Sequence, residues 1–280
     1  MNDKKSKLDN ILLLKTDEGT IKYKQELDPK SPCLDSGICS LIIGVPRCGK
    51  SLLILNMFTR FWKYYYENIF IISPSRDPTF NALYEYYGKP SANCSDSVID
   101  NIIKFQYSMD QDEKTSFPRT NACIIVDDCL AIPSFNSRKM NSFSRLASNY
   151  RHVLRGHLPY AKEGQTIKQH GGGGAIFLST QRYSSTIPQS YKSCCNVIII
   201  GKLANRTEYE NIINDYGGRV GGPENLRNML NFCIETPYSF CCLYLDGDND
   251  PETKGQTKVY KNMSELLYPT PRFPGENTKL

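Results

Sequence analysis

Gly44-Val45-Pro46-Arg47-Cys48-Gly49-Lys50-Ser51 is the stretch on which the reading of this chain turns. It fits G-x-x-x-x-G-K-[ST] at every position, the pattern of a phosphate-binding loop between a strand and a helix. Ile38, Leu41, Ile42 and Ile43 form the apolar run before it. Leu52, Leu53, Ile54, Leu55, Met57 and Phe58 form a helix-compatible run after it. The chemistry follows from the shape such a loop takes. Glycines let the backbone curl so that successive N–H groups converge on one phosphate, and the helix N-terminus adds the positive end of its dipole. The nucleotide-binding candidates are Gly44, Val45, Pro46, Arg47, Cys48, Gly49, Lys50, Ser51 and Leu52. Lys50 is expected to reach the β- and γ-phosphates of ATP, and the Ser51 hydroxyl to ligate Mg²⁺.

A second signature lies downstream. Ala122-Cys123-Ile124-Ile125-Val126 reads as a buried strand, and Asp127-Asp128 close its C-terminal end. Open parallel sheets bind ligands at that end of their strands. Asp127 is placed to hold Mg²⁺ through water, as a Walker B acid, and Asp128 to polarise an attacking water as general base. A third strand, Ala175 to Thr180, ends in Gln181-Arg182. A glutamine at such a tip, beside a γ-phosphate, orients water and reports hydrolysis to the rest of the domain.

Composition bounds the alternatives. The chain has 280 residues, 40% hydrophobic and 22% charged, which suits one large globular domain with appendages. No apolar run approaches the roughly 18 residues of a membrane span, and Ile11 to Leu14 is too short for a signal-peptide core; a cytosolic protein is expected. The 11 cysteines include no C-x-x-C spacing, so free thiols are expected instead of a zinc site. Cys48, inside the phosphate loop, is the one whose oxidation would obstruct a nucleotide. Net charge is only +5. Between Asp128 and Gln181, however, Arg138, Lys139, Arg145, Arg151, Arg155, Lys162 and Lys168 face a single acid, Glu163. Such a concentration is an electrostatic footprint for nucleic-acid phosphates.

The organisation read from the sequence is a polar N-terminal arm (1–36), a core (37–246) and a proline-containing tail (247–280), extended or partly disordered. In the core, Asn68 to Ser73 reads as a strand, 79–88 as a helix, and Ile102 to Tyr107 as a short strand in a polar stretch. A helix is expected from Phe135 to Leu154, and Gly171 to Gly174 as a flexible run. A short helix near Pro188, a strand over 196–201, helices near 205–217 and 223–232, and a strand over 239–245 follow. The fold class is α/β, a P-loop NTPase of the RecA-like kind with a mainly parallel sheet flanked by helices.

The order of these motifs is that of the additional-strand P-loop ATPases, and Ser179-Thr180-Gln181-Arg182 resembles the strand tip of the FtsK–HerA superfamily. More closely, the chain resembles the genome-packaging ATPases of poxviruses, other large double-stranded DNA viruses and their small viral relatives. The carrying features are Asn68 to Pro74, Asp127-Asp128, and Asn149-Tyr150-Arg151-His152, the last similar to a Gly-Arg-His segment of that family. The likeness covers about residues 38–246. It implies an ATP- and Mg²⁺-dependent double-stranded DNA translocase that packages a viral genome into a preformed capsid. Lys50 and Ser51 would bind triphosphate and metal, Asp127 hold the metal, Asp128 be the base and Gln181 the sensor. Arg151 would be the arginine finger reaching a neighbouring subunit's nucleotide, with Arg155 and Arg182 as alternates. It further implies a homo-oligomeric ring around duplex DNA, capsid or portal-vertex partners, and residence at the virus assembly site in the host cytoplasm or in the virion. Two features depart from the family pattern: Asp128 stands where bacterial members carry glutamate, and 157–174 is longer than their connection. A nucleotide-dependent DNA- or capsid-binding scaffold without pumping, or a plasmid or transposon DNA-transfer motor, are the alternative readings.

Overall fold

Among the described residues of the computed structural model, eight strands form one sheet: β1 (Ile38–Ile43), β2 (Asn68–Ile72), β3 (Ala122–Asp127), β4 (Ala175–Thr180), β5 (Val197–Ile200), β6 (Phe240–Tyr244), β7 (Thr257–Lys261) and β8 (Glu265–Leu267). The structure describes residues 15–16, 19–20, 37–57, 66, 68–74, 78–81, 84, 95–111, 121–128, 141–156, 173–183, 187–220, 222–245, 257–261 and 265–267. The spatial order is β8-β7-β6-β5-β1-β4-β3-β2. The five strands from β5 to β2 run parallel, and β6, β7 and β8 add on antiparallel. A separate two-residue ladder pairs Lys15–Thr16 with Gly19–Thr20.

The parallel strands are near-continuous apolar runs because both faces of the sheet are covered. Helix α1 (Lys50–Met57) buries Leu53, Ile54, Leu55 and Met57 against one face, together with Ile42, Ile125, Phe177 and Ile199. The opposite face carries α2 (Asp96–Gln111), α3 (Ser142–Val153), α4 (Gln189–Cys194), α5 (Arg206–Tyr216) and α6 (Pro223–Glu235). Each fully buried leucine or isoleucine in these layers contributes about 2 kcal/mol. Among the described residues no helix is long and apolar enough to cross a membrane. The cysteines described are free thiols, most of them buried.

Three expectations need correction. The segment read as a strand over Ile102 to Tyr107 lies inside α2. Ile99, Ile102, Ile103 and Gln106 recur at helical spacing along the face packed on the core. Ser95 starts the helix, its hydroxyl accepting the Val98 N–H at 3.4 Å, so local β-propensity yields to capping and packing. In the tail, β7 and β8 join the sheet, which therefore extends to Leu267. The third concerns the glycine run. Gly173 and Gly174 are buried, and the Gly174 carbonyl accepts the Ile38 N–H at 3.0 Å, registering β4 on β1. Pro78–Phe80 form a single 3₁₀ turn where the helix over 79–88 was expected to begin; residues 82–83 and 85–88 of it, 135–140 of the helix expected from Phe135, and the segment 157–172 lie outside the described residues.

Gly174 itself is fixed by close packing. A β-carbon there would sit 2.0 Å from Leu154 Cβ and 2.7 Å from the Leu154 carbonyl carbon and oxygen. Leu154 is itself pinned, since its carbonyl accepts the Ala122 N–H that opens β3. Gly174→Ala is therefore expected to destabilise the fold by about 3 kcal/mol through overpacking, seen as a lowered midpoint in chemical denaturation.

Candidate active site

The loop after β1 is tied to its neighbours on both sides. The Gly44 N–H donates to the Thr180 carbonyl at the tip of β4 (3.2 Å). The Val45 N–H donates to the Lys202 carbonyl just past β5 (2.8 Å). The turn needs its first glycine, because a β-carbon on Gly44 would come within 2.6 Å of Cys48 Sγ. Arg47 holds a left-handed backbone, φ 62°, uncommon for a residue with a side chain. Strain of this kind, held by fixed flanks, gathers at ligand-binding loops. Burial pushes the Cys48 thiol above its ordinary pKa, with Lys50 opposing, so the sulfur stays protonated at neutral pH.

Lys50 opens α1 and is only 8% exposed. Its ammonium folds back over the loop, donating to the Gly44 carbonyl at 2.9 Å and the Val45 carbonyl at 3.1 Å. One helical position on, the Ser51 hydroxyl donates to Asp127 Oδ2 at 3.1 Å. The serine of the loop and the acid ending β3 thus meet although 76 residues separate them. A hydroxyl and a buried carboxylate are hard oxygen donors, which suits Mg²⁺, an ion that takes one or two protein oxygens and fills its remaining positions with phosphate and water. The fit to a Mg²⁺–triphosphate is therefore good. Ser51 and Asp127 would hold the cation, and Lys50 and the loop amides the phosphates.

Beyond β3, Asp128 turns into the left-handed region, φ 51°, and Gln181 Nε2 donates to its Oδ1 at 2.9 Å. The two residues assigned to water activation and sensing are hydrogen-bonded to each other at the same strand ends. Lys50, Ser51, Asp127, Asp128 and Gln181 therefore form one group along the C-terminal edge of β1, β3 and β4.

Arg151 is elsewhere. It lies in the last turn of α3, exposed, with Nε donating to the Tyr150 hydroxyl at 3.0 Å and its guanidinium 5.6 Å from the centroid of that ring. The Tyr150 ring abuts Gly37, at the N-terminal end of β1. Six strand residues at about 3.3 Å each place that end about 20 Å from the loop. Arg151 cannot serve its own chain's loop. Arg182, beside Gln181, is exposed on the loop's edge of the sheet.

Sequence reasoning missed what fastens the Gln181 tip. The Tyr183 N–H donates to the buried Glu208 carboxylate at 2.6 Å, and its hydroxyl donates to Asp215 and lies 3.2 Å from the Tyr216 hydroxyl. The Lys192 ammonium lies 3.8 Å from the centroid of the ring. Burial, then the bond to Asp215, pushes the Tyr183 phenol far above its ordinary pKa, so it remains a donor at any physiological pH. Residues 181–183 are thereby clamped to α4 and α5. The available signal was slight: Asn205 caps α5 by accepting the Glu208 N–H at 2.9 Å, but nothing local points Glu208 at Tyr183.

No protein-family model matches the chain, and no curated protein sequence matches it. Solved structures do. The genome packaging NTPase B204 of Sulfolobus turreted icosahedral virus 2, in complex with sulfate, is similar at 14% identity over 81% of this chain and 96% of that one, with a TM-score of 0.50. Its AMPPCP complex matches at 14% identity, 81% and 98% coverage and a TM-score of 0.51. Its AMP complex matches at 16% identity, 81% and 98% coverage and a TM-score of 0.50. At such identities the likeness is one of fold. The chain shares the fold of B204, an α/β fold with a mainly parallel sheet flanked by helices, the fold class read from its motifs.

Proposed function

We propose that the protein is a Mg²⁺-dependent ATPase that translocates double-stranded DNA and packages a viral genome. The observation that carries the reading is the joined pair of contacts Ser51–Asp127 and Asp128–Gln181 beside the Lys50 loop. Metal-holding, water-activating and sensing groups stand together where a triphosphate on the loop would present its γ-phosphate. B204, of the same fold, has been seen with AMP and AMPPCP, which supports a nucleotide in this position. Lys50 neutralises the phosphates, Asp127 and Ser51 hold Mg²⁺, Asp128 takes the proton of the attacking water, and Gln181 orients that water.

Arg151 acts in trans. Too far from the loop of its own chain to serve it, Arg151 would reach the nucleotide of a neighbouring copy, in a ring with nucleotide at the subunit junctions. Such a finger contributes about 10³–10⁵ in rate in other phosphoryl-transfer enzymes. Arg145, Arg151, His152 and Arg155 are exposed on and just beyond α3, which supports duplex DNA phosphates as a partner. Capsid or portal-vertex proteins are the remaining partners, with action at the virus assembly site in the host cytoplasm.

The test is steady-state ATP hydrolysis with and without duplex DNA, alongside DNA binding at several salt concentrations. Hydrolysis stimulated by DNA of any sequence is expected. Arg155→Gln should weaken DNA binding uniformly across sequences and reduce the salt slope by about 1. ATP binding without turnover, even with DNA and capsid vertex present, would favour the scaffold.

A further inference from the structure

The sheet ladder ends at Thr180, and Gln181 lies just past it. Backbone groups beyond a strand end must find other partners. Two side chains supply them here. The Thr180 hydroxyl accepts the Arg182 N–H at 3.1 Å and donates to the Arg182 carbonyl at 3.0 Å. The Tyr183 N–H is taken by the Glu208 carboxylate, in the first turn of α5. Glu208 is unusual for such a position. An acid in a first turn complements the helix dipole, and it can do so from solvent, as Glu224 does in α6 with its side chain 79% exposed. Glu208 is only 5% exposed, and acids are seldom so buried without a specific partner. Its own backbone is fixed, because its N–H donates to the capping Asn205 Oδ1 at 2.9 Å. The same stretch of chain carries a second tie, since the Lys202 carbonyl accepts the Val45 N–H of the phosphate loop. Residues 202–208 therefore hold the loop at one end and the Gln181 tip at the other.

We infer that Glu208 is a positioning residue for Gln181, a role that rests on reading this site as one for ATP hydrolysis. The Gln181 amide meets Asp128 Oδ1 at 2.9 Å and, in that reading, the attacking water. The Thr180 hydroxyl closes a local turn, but both its bonds stay within the tip. The Glu208 bond is of another kind. It joins the tip to a helix whose start is registered on the phosphate loop, so the length of the glutamate side chain sets how far Gln181 stands from that loop. The Tyr183 phenol bonds Asp215, about two turns further along α5, and ties the ring to the same face of the helix. Glu208 acts through the backbone of Tyr183, so its loss should appear in the chemical step and spare nucleotide affinity.

The test compares kcat for ATP, binding of a fluorescent ATP analogue and thermal melts across wild type, Glu208→Ala, Glu208→Asp, Glu208→Gln, Gln181→Ala and the Gln181→Ala/Glu208→Ala double variant. Glu208→Ala should lower kcat about 10- to 100-fold, the cost of misplacing a reacting group by about 1 Å, with analogue binding within about twofold of wild type. Glu208→Asp keeps the carboxylate but is one methylene short, and should lose nearly as much. Glu208→Gln keeps the reach and an acceptor oxygen, and should bring kcat back to within about fivefold of wild type. A role at the helix dipole gives the reverse order, aspartate benign and glutamine harmful, and that order overturns the inference; these two variants carry the test if Glu208→Ala does not fold. In the Gln181→Ala background, Glu208→Ala should change kcat by no more than about twofold, because the residue it positions is gone. Losses that multiply overturn the inference. So does a kcat for Glu208→Ala within about twofold of wild type, or kcat and analogue binding that fall together with the melting temperature. A wild-type protein without turnover, even with duplex DNA and capsid vertex present, overturns the functional reading itself. Wild-type turnover indifferent to the Glu208 variants overturns only the role of Glu208.

Discussion

Lys50→Ala is expected to lower kcat/KM for ATP by about 10²–10⁴ while leaving the fold intact. The size follows from the bonds at stake. A lysine ammonium bridging β- and γ-phosphate oxygens makes two charge-assisted hydrogen bonds of about 1.5–3 kcal/mol each, and about 1.4 kcal/mol is a tenfold change in rate. In the structure the same ammonium is shared between the Gly44 and Val45 carbonyls at 2.9 and 3.1 Å. It already sits on the loop and need not be recruited from solvent. Its removal takes a donor from two carbonyls at the rim of the sheet, outside the hydrophobic layers, so the melting temperature should move by only a few degrees. Hydrolysis assays, analogue binding and a thermal melt together check this. Near wild-type turnover in the variant would refute the assignment of the loop.

The loop could be read from sequence because its constraints are local: two glycines, a lysine and a serine at fixed offsets, between two apolar runs. The strands β1 to β5 were legible for a related reason. Buried on both faces, they are continuous runs such as Ile124-Ile125-Val126 and Val197-Ile198-Ile199-Ile200, and periodicity is not needed to see them. The pairings Ser51–Asp127 and Asp128–Gln181 followed once strand ends were assigned, because a parallel sheet brings all C-terminal tips to one edge. Elsewhere the decisive interactions were distant ones. Ile102-Ile103 and Phe105 favour a strand locally, and the Ser95 cap together with packing on α3 makes that segment a helix. Gly174 looks like its neighbours in the glycine run until Leu154 is found against it. The Tyr183–Glu208 bond spans 25 residues between two elements with no shared motif. Arg151 was assigned from the likeness of Arg151-His152 to a family segment, and its neighbour Tyr150 gives no sign that the pair lies at the far end of the sheet.

Asp128→Asn should separate binding from chemistry. In the proposed role of general base, Asp128 would supply about 10²–10⁴ of rate, whereas the loop, Lys50 and the Ser51–Asp127 pair would carry nucleotide affinity. The variant is expected to lose turnover by that factor with the dissociation constant for ATP within about threefold of wild type. The choice of asparagine matters because the backbone at 128 is left-handed, φ 51°, and asparagine is among the few residues that adopt this region readily. Its side-chain oxygen can still accept from Gln181 Nε2, which donates to Oδ1 at 2.9 Å. Alanine would add backbone strain and leave the Gln181 amide without this acceptor, so a lost rate would have three causes. Gln181→Ala tests the other half of the pair. If the two side chains act together on one water, the double variant should be no slower than the slower single variant by more than about threefold, because effects within one catalytic unit are not additive. Multiplying losses would instead mean that Gln181 works apart from Asp128, with its rate effect passing through Tyr183 to α5. Turnover indifferent to both substitutions would remove the chemical step from this edge of the sheet and leave the nucleotide there as a ligand alone.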